Sequence, residues 1–577
     1  MEIPRGEYPR PNFVRNDWTS LNGAWKFSFE EPVFDRTIIV PYVYESALSG
    51  IGERAFHDTV WYQRNFRIDE SYKGKRVILH FGAVDYRCKV YLNNQYIGGH
   101  EGGQTPFSFD ITETITFGEE NIVKVWVHDD HYDMEQPRGK QYWKEEPESI
   151  FFMHCVGIWQ SVWLEYLPSC HIESVRITPL FDEKAVRFDY RLTGQAEHAF
   201  DTELIFNGQS LASITVKTSG SKGSFKILLQ DTAKKHWNFY EDLAWSPEHP
   251  RLFDVLFRLR KEEEIIDEVR SYFGMRKVSI ENGIFLLNNR PYYQKLILDQ
   301  GYWPTSFITA PSDEAFIEDI RLVKEMGFNG VRKHQKVEDP RFLYHADRLG
   351  LLVWGEMSSA YNYSITYAKR IYHEWLEVIN RDYNHPSIVV WLPLNESWGI
   401  QEIATSKEQQ AHTCAMYYMT KSLDTTRVVI DNDGWEHLCG DVWSVHDYEG
   451  NPDTFAKHYR SVESLKEFKP AGKEHFVNGS SLEGAPILIT EFGGVKYVTK
   501  VDESLNDSWG YTTDDSEDAF VNRLRSLFGT LQKTKFVQGY CYTQLTDVAT
   551  EINGLLTEDR IPKVPVEIIR EINDQKH

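Results

Sequence analysis

Cysteine is scarce in this chain, with six in 577 residues: Cys88, Cys155, Cys170, Cys414, Cys439 and Cys541. None forms a C-x-x-C pair and the six are widely scattered, so neither a zinc ribbon nor a disulfide framework is expected. They read as reduced, buried core residues. No run of about 18 apolar residues occurs, which excludes a transmembrane helix. The N-terminus "MEIPRGEYPRPNF" lacks a basic stretch followed by an apolar one, so the expected compartment is the cytoplasm. A chain whose signal had been removed would read the same. Positive charge is also short: 63 Lys and Arg against 86 Asp and Glu leave a net charge of -23. Nucleic acid and anionic membrane both need a basic surface, so neither is an expected partner.

What the chain does have is apolar and aromatic content, 41% and 14%, with 17 Trp and 31 Tyr. That suits a folded, β-rich protein, and the tryptophans suit stacking on flat apolar faces such as sugar rings. A chain this long calls for about three domains.

Residues 1–168 read as strands and turns. "GAWKFSF", "VWYQRNFRI", "RVILHFG", "CKVYLNNQYIGG", "FSFDIT" and "NIVKVWVHD" alternate apolar with polar, the pattern of an antiparallel β-sandwich. Residues 169–276 give a second series, among them "IESVRITPLF", "AVRFDYRLTG", "TELIFNG" and "LFDVLFRLRK", the size of one immunoglobulin-like sandwich. From 277 to 577 the period changes. Eight near-continuous apolar strands, "QKLILD", "FNGVRK", "LLVWGE", "IVVWLPLN", "RVVIDN", "VWSVHD", "PILITE" and "VQGYCYTQ", alternate with helix-period stretches. One of these, "SDEAFIEDIRLVKEMG", opens on a Ser312 cap. The expected fold is a closed (β/α)8 barrel, whose strand C-termini build the active site.

Glu396 follows the fourth strand and Glu491 ends the seventh, which sets them across one barrel mouth. Glycoside hydrolysis demands such a pair: one carboxyl to protonate the departing oxygen, and one carboxylate to attack or to activate water. A glutamate at a strand end can also cap a helix or pair with arginine. Both together, with Asn395 before one and Gly493 and Gly494 after the other, favour catalysis. No metal-ligand spacing links His334, His345, His437 and His446, so no metal and no cofactor is expected.

These residues resemble glycoside hydrolase family 2. "NES" is similar to that family's acid/base motif and "ITEFGG" to its nucleophile motif. "LNGAWKF", "VWYQRNF" and "GAVDYRCKVYLNNQYIGGHEGGQTPFSFDIT" resemble its N-terminal sugar-binding-like, jelly-roll-like sandwich, and "FNGVRKHQKVEDPRFLYHADRLGLLVWGE" its second and third barrel strands. The resemblance implies a retaining double displacement, with Glu491 as nucleophile and Glu396 as acid/base. Asn395 would hold the sugar 2-hydroxyl, and Tyr448 in "VHDYEG" would steady the nucleophile, with His446 beside it among the substrate-binding residues.

The chain also departs from the family pattern. "LILDQGYWP" puts Asp299 and Gln300 where a histidine motif is usual, and "RKHQK" leaves His334 or Gln335 to replace another family histidine. Asp299 and His334 are the expected hydroxyl-binding residues, with a core role as the alternative. Tyr542 stands where the eighth strand normally offers a tryptophan platform, and Trp509, Tyr511 and Trp398 are expected to wall the leaving group. Glu551 and Asn553, in "EINGLLTEDR", occupy the positions of the uronate-gripping Asn-x-Lys of β-glucuronidases, so a neutral, galactose-like terminal sugar is expected. Lys333, Lys496 and Lys500 could supply charge from another direction. The runner-up is an exo-glycosidase for another sugar, such as an arabinoside, a galacturonide or a glucuronide, and from a different class a non-catalytic carbohydrate-binding relative. The expected partner is an oligosaccharide or glycoside substrate, and a homo-oligomer stays open. The long Glu449 to Glu483 stretch is expected to shape the mouth for the leaving group, since structureless loops of that length are uncommon unless functional.

Overall fold

The computed structural model describes residues 3–194, 197–229, 242–477, 479–499 and 508–574. The first block is a sandwich of a six-stranded and a four-stranded antiparallel sheet. Alternation works as expected: along Glu120–His128, Val123, Val125 and Val127 point into a core shared with Trp25, Phe27, Tyr62, Leu79 and Leu164. The hairpin between Arg87–Leu92 and Gln95–Glu101 turns on Asn93 and Asn94, both at positive φ, the backbone that a tight hairpin favours and that asparagine tolerates. The second block is a sandwich of three strands against four, with Phe188, Phe200, Phe257 and Phe273 in its core.

The third block carries eight parallel strands: β1 (Gln294–Asp299), β2 (Gly330–Lys333), β3 (Leu352–Glu356), β4 (Ile388–Leu392), β5 (Val428–Val429), β6 (Trp443–Asp447), β7 (Ile487–Gly493) and β8 (Val537–Thr543). Their side chains alternate between two cores. Leu296, Leu298, Leu352, Trp354, Val390, Leu392, Leu488 and Cys541 fill the barrel interior. Ile297, Val331, Val353, Trp391, Val445, Ile489 and Tyr540 face the surrounding helices. A small sheet formed by residues 278–291 closes the bottom, putting Val278, Phe285 and Leu287 into the interior core. The first helix, α1 (Asp313–Glu325), is capped as expected by Ser312, whose side chain accepts from the Ala315 N–H. No helix among the described residues is long and apolar enough to cross a membrane.

Pairing runs 5-4-3-2-1-8-7-6, so the ladder closes between β1 and β8 and is open between β5 and β6. His437 bridges that seam: one ring nitrogen lies 2.9 Å from Asp431 Oδ1 beyond β5, the other 2.9 Å from the Ser444 carbonyl on β6. The Asp431 carboxylate and that carbonyl hold its imidazole above the usual range against the desolvation of burial, as befits a ring that donates on both sides.

The stretch after β6, expected to shape the mouth for the leaving group, is not a structureless loop. It forms helices α2 (Pro452–His458) and α3 (Val462–Glu467), which bury Phe455, Tyr459 and Leu465 in the outer core. Its later part backs the loop beyond β5, with the Glu436 N–H donating to the Glu474 carbonyl and the His437 N–H to that of His475.

Candidate active site

The barrel mouth is organised around an arginine. Arg332 ends the apolar run of β2, is fully buried, and meets three carboxylates: Glu356 Oε2 at 2.8 Å, Asp433 Oδ2 at 2.8 Å and Glu491 Oε1 at 2.7 Å. Its remaining amino group donates to Asn395 Oδ1 at 2.6 Å. That bond fixes the Asn395 amide and leaves its Nδ2 buried without a partner among the described residues.

Glu491 reaches the lumen by a local irregularity. On β7 the pairing skips a residue against both neighbours, so Leu488, Thr490 and Glu491 all serve the interior while Phe492 turns out to the helices. A bulge re-aims a side chain in this way without ending the strand. Thr490 uses its position to donate to Asp433 Oδ1 at 2.8 Å. The Tyr448 hydroxyl donates to Glu491 Oε2, with Thr543 Oγ1 3.1 Å away. Tyr448 itself lies flat on Tyr511, ring centres 3.4 Å apart, and Trp509 stands edge-on to Tyr511 at 4.6 Å. Gly494 makes that stack possible: at φ 59 a Cβ there would lie 2.3 Å from the Tyr511 ring.

Glu396 and Ser397 both take left-handed backbone, φ 50 and 59, which costs non-glycine residues about 1–3 kcal/mol each. The turn is held from the adjacent strand, by the loop beyond β5. The Glu396 N–H donates to the Asp433 carbonyl at 2.9 Å, the Ser397 N–H to Asn432 Oδ1 at 2.9 Å, and the Ser397 hydroxyl to Glu436 Oε2 at 2.6 Å. Glu396 is thereby presented to the cavity, half-buried, with one oxygen 2.8 Å from His446 Nδ1.

His446 joins the two glutamates. Its Nε2 lies 3.2 Å from Asp433 Oδ2 and 3.5 Å from Glu491 Oε1. Burial opposes its charge, but the Glu491 and Asp433 carboxylates and the hydrogen bonds to Asp433 and Glu396 push its pKa up to about 10. Both nitrogens therefore donate. Glu396, His446 and Glu491 present ligand atoms within 4.8 Å of one another. A cation there would have to displace the His446 protons and face Arg332, so this donor set fits a hydrogen-bonded pair better than a metal.

The other expected residues divide. His334 joins the network: its Nδ1 sits 3.0 Å from Glu356 Oε1, and burial, with Lys140 and Arg332 nearby, keeps the ring well below its usual pKa and neutral. Gln335 turns away to receive the Ser359 N–H at 2.8 Å, which leaves His334 as the ring in the site. Glu356 is pushed up to about 7 by burial, against the pull of Arg332. Trp398 joins Phe151 and Tyr361 at 5.8 and 5.5 Å, and Trp143 packs on both partners, so an aromatic wall forms from the barrel and the first sandwich together.

Asp299 pairs with the neighbouring strand, and Tyr542 stands outside the mouth. Asp299 is buried and held by the protein, Oδ1 accepting from the Gly301 N–H at 2.9 Å and Oδ2 from Lys333 Nζ at 2.6 Å. Tyr542 is fully buried on the helix side of β8, against Phe492 and Phe528 and under Gly493, and offers no platform. Period-2 alternation places Cys541 and Thr543 on the lumen side instead. Lys333 is spent on Asp299 and Glu338, and Lys496 on the Ser508 carbonyl. Lys500 lies outside the described residues. His345 pairs with Asp313, within 3.0 Å. Arg332, Glu356 and Asp433 went unread in the sequence. The available signal was a cation closing an apolar strand, because a buried guanidinium requires carboxylates around it.

Three sequence profiles match in order: the sugar binding domain of glycosyl hydrolases family 2 over residues 26–168, the family's second domain over 170–276, and its TIM barrel domain over 278–575. The chain belongs to glycoside hydrolase family 2. Among its relatives is a β-galactosidase of Thermoanaerobacter pseudethanolicus, 30% identical over 450 residues that make up 74% of this chain and 58% of that protein. A β-glucuronidase of Rattus norvegicus is 23% identical across 96% of this chain and 87% of its own length. The chain spans 58% and 51% of the length of two of the curated family members it matches. A family 2 β-galacturonidase from Eisenbergiella tayi superposes with a TM-score of 0.76 at 19% identity, over 98% of both chains, which establishes the shared fold.

Proposed function

We propose that this family 2 member is a retaining exo-β-glycosidase that releases a terminal, neutral, galactose-like sugar from an oligosaccharide or glycoside. The observation that carries this reading is the short gap between Glu396 and Glu491, whose nearest oxygens lie within 4.8 Å. Retention goes with carboxyl groups about 5–5.5 Å apart, whereas inversion needs about 6.5–9.5 Å to admit a water.

Glu491 then attacks the anomeric carbon, with Arg332 and Tyr448 donating to its two oxygens. Glu396 protonates the departing oxygen and afterwards takes a proton from water, held meanwhile at one oxygen by His446. The unpaired Asn395 Nδ2 suits a sugar 2-hydroxyl, a bond that strengthens as positive charge grows on the ring. A neutral sugar is favoured by Glu551. It is an acid buried at the site, its Oε2 without a partner among the described residues, where a sugar hydroxyl can donate to it and a uronate brings no proton. Hydrolysis of aryl β-galactoside, glucoside, mannoside, glucuronide, galacturonide and α-L-arabinoside, with Glu491→Gln as control, tests the reading. Fastest turnover of the galactoside, lost by at least about 10³-fold in the control, is the expected result. Equal rates in the two proteins would end it.

A further inference from the structure

Lys140 belongs to the first sandwich, yet its side chain ends in the barrel mouth. The backbone around it is pinned to the barrel. The Gly139 N–H donates to the Ser359 carbonyl at 3.0 Å, and Tyr361 donates its hydroxyl to the Gly139 carbonyl at 2.7 Å. The Lys140 carbonyl in turn receives the Phe152 N–H at 2.8 Å. Gly139 is required there, because at φ 63 a Cβ would lie 2.2 Å from the Gln335 carbonyl oxygen.

The ammonium runs over the Trp398 ring at 5.3 Å, and only 7% of the residue is exposed. It makes no ion pair and no hydrogen bond among the described residues. The stem is buried while the charged end stays open to the mouth, so a cation without a protein partner there is placed to meet an incoming group. Glu551, from the loop after β8, is its counterpart. That side chain is 2% exposed, Oε1 accepts from Asn553 Nδ2 at 3.2 Å, and Oε2 has no partner. The two segments meet at one wall: the Thr550 hydroxyl donates to the Ser149 carbonyl at 3.2 Å, and Phe151, two residues on, packs on the same Trp398 that the Lys140 ammonium overlies, so the Lys140 charge draws the Glu551 carboxyl down against its burial without closing an ion pair.

We infer that Lys140 and Glu551 together bind one hydroxyl of the terminal sugar, which accepts from the ammonium and donates to the Glu551 carboxyl. This rests on the glycosidase reading above and names the residues that choose the sugar. A hydroxyl satisfies both partners because it is donor and acceptor at once, whereas a sugar carboxylate accepts from Lys140 and has no proton for Glu551. The first sandwich thus supplies a specificity-determining residue to a site otherwise built on the barrel.

The test compares the full-length wild type with Lys140→Met, which keeps the stem on Trp398 and removes the charge, and with Lys140→Gln as a second packing variant. The substrates are an aryl β-galactoside, its 4-deoxy and 6-deoxy counterparts, and the galacturonide. The wild type is expected to lose about 10- to 100-fold in kcat/KM on one deoxy substrate, and either variant the same on the parent. The losses should not add, so the variants discriminate against that deoxy substrate by less than about 3-fold. Wild-type kcat/KM in both variants overturns the inference, as do losses that multiply. A wild type that prefers the galacturonide, with that preference erased in Lys140→Met, would make Lys140 a carboxylate reader instead. A wild type silent on every aryl glycoside would remove the glycosidase reading itself, and this inference with it.

Discussion

His446 Nδ1 lies 2.8 Å from an oxygen of Glu396, and its other nitrogen faces Asp433 and Glu491, so one imidazolium ties both candidate catalytic glutamates together. That charge has a pH signature. The folded pKa of about 10 stands above the free value of 6.5, so the stability it contributes is complete below about pH 6.5. It declines as pH rises from there and is gone above about 10. Thermal melts of wild type and His446→Gln between pH 5 and 10.5 should therefore show a gap that is widest in acid and closes in alkali. A gap independent of pH would mean that the ring is neutral in the fold.

Arg332 is the group on which the buried carboxylates depend. Arg332→Met leaves Glu356, Asp433 and Glu491 without their cation, and breaking a buried pair of this kind costs about 3–5 kcal/mol. Denaturant unfolding should show that loss, with turnover down by at least about 10³-fold. Retained stability and activity would contradict the central place given to this residue.

Tyr448→Phe keeps the ring stacked on Tyr511 and removes the hydroxyl that reaches Glu491. Turnover should fall by about 10²-fold, the usual cost of one donor aimed at a reacting group, while the melting temperature stays near that of the wild type.

Tyr542 separates an outward core residue from a sugar platform. Tyr542→Phe should leave KM and kcat within about 2-fold, because the ring packs on Phe492 and Phe528, while Tyr542→Ala should cost about 3–5 kcal/mol of stability. A KM that rises in Tyr542→Phe at unchanged stability would return the residue to the mouth.

Much of the barrel was legible because its strands are buried on both faces, which writes near-continuous apolar runs such as "LILD" and "ILITE" between helix-period stretches. Glu396 and Glu491 stood out as charges at the ends of those runs. The misplacement of Tyr542 has a physical cause: the family pattern identifies the position, while the side of the strand is set by counting in twos from Cys541. The ion pair of Asp299 was not legible, because nothing in one strand tells that Lys333, on the next, will meet it. The bulge at Thr490 and Glu491 shows only in the pairing of three strands, and the seam between β5 and β6 depends on a histidine several residues beyond either strand. Lys140 was out of reach for the same reason, since it enters from another domain. Charge that acts across domains leaves no local period.

Glu396 and Glu491, acting as one closely spaced pair, would fix the stereochemistry of the first sugar released. Proton NMR of the anomeric signal should be followed from the first seconds of hydrolysis of the aryl β-glycoside turned over fastest. The β-anomer should appear first and only later mutarotate to the α form. An α-anomer as first product would require a water between the carboxyl groups and would contradict the geometry from which the mechanism is derived.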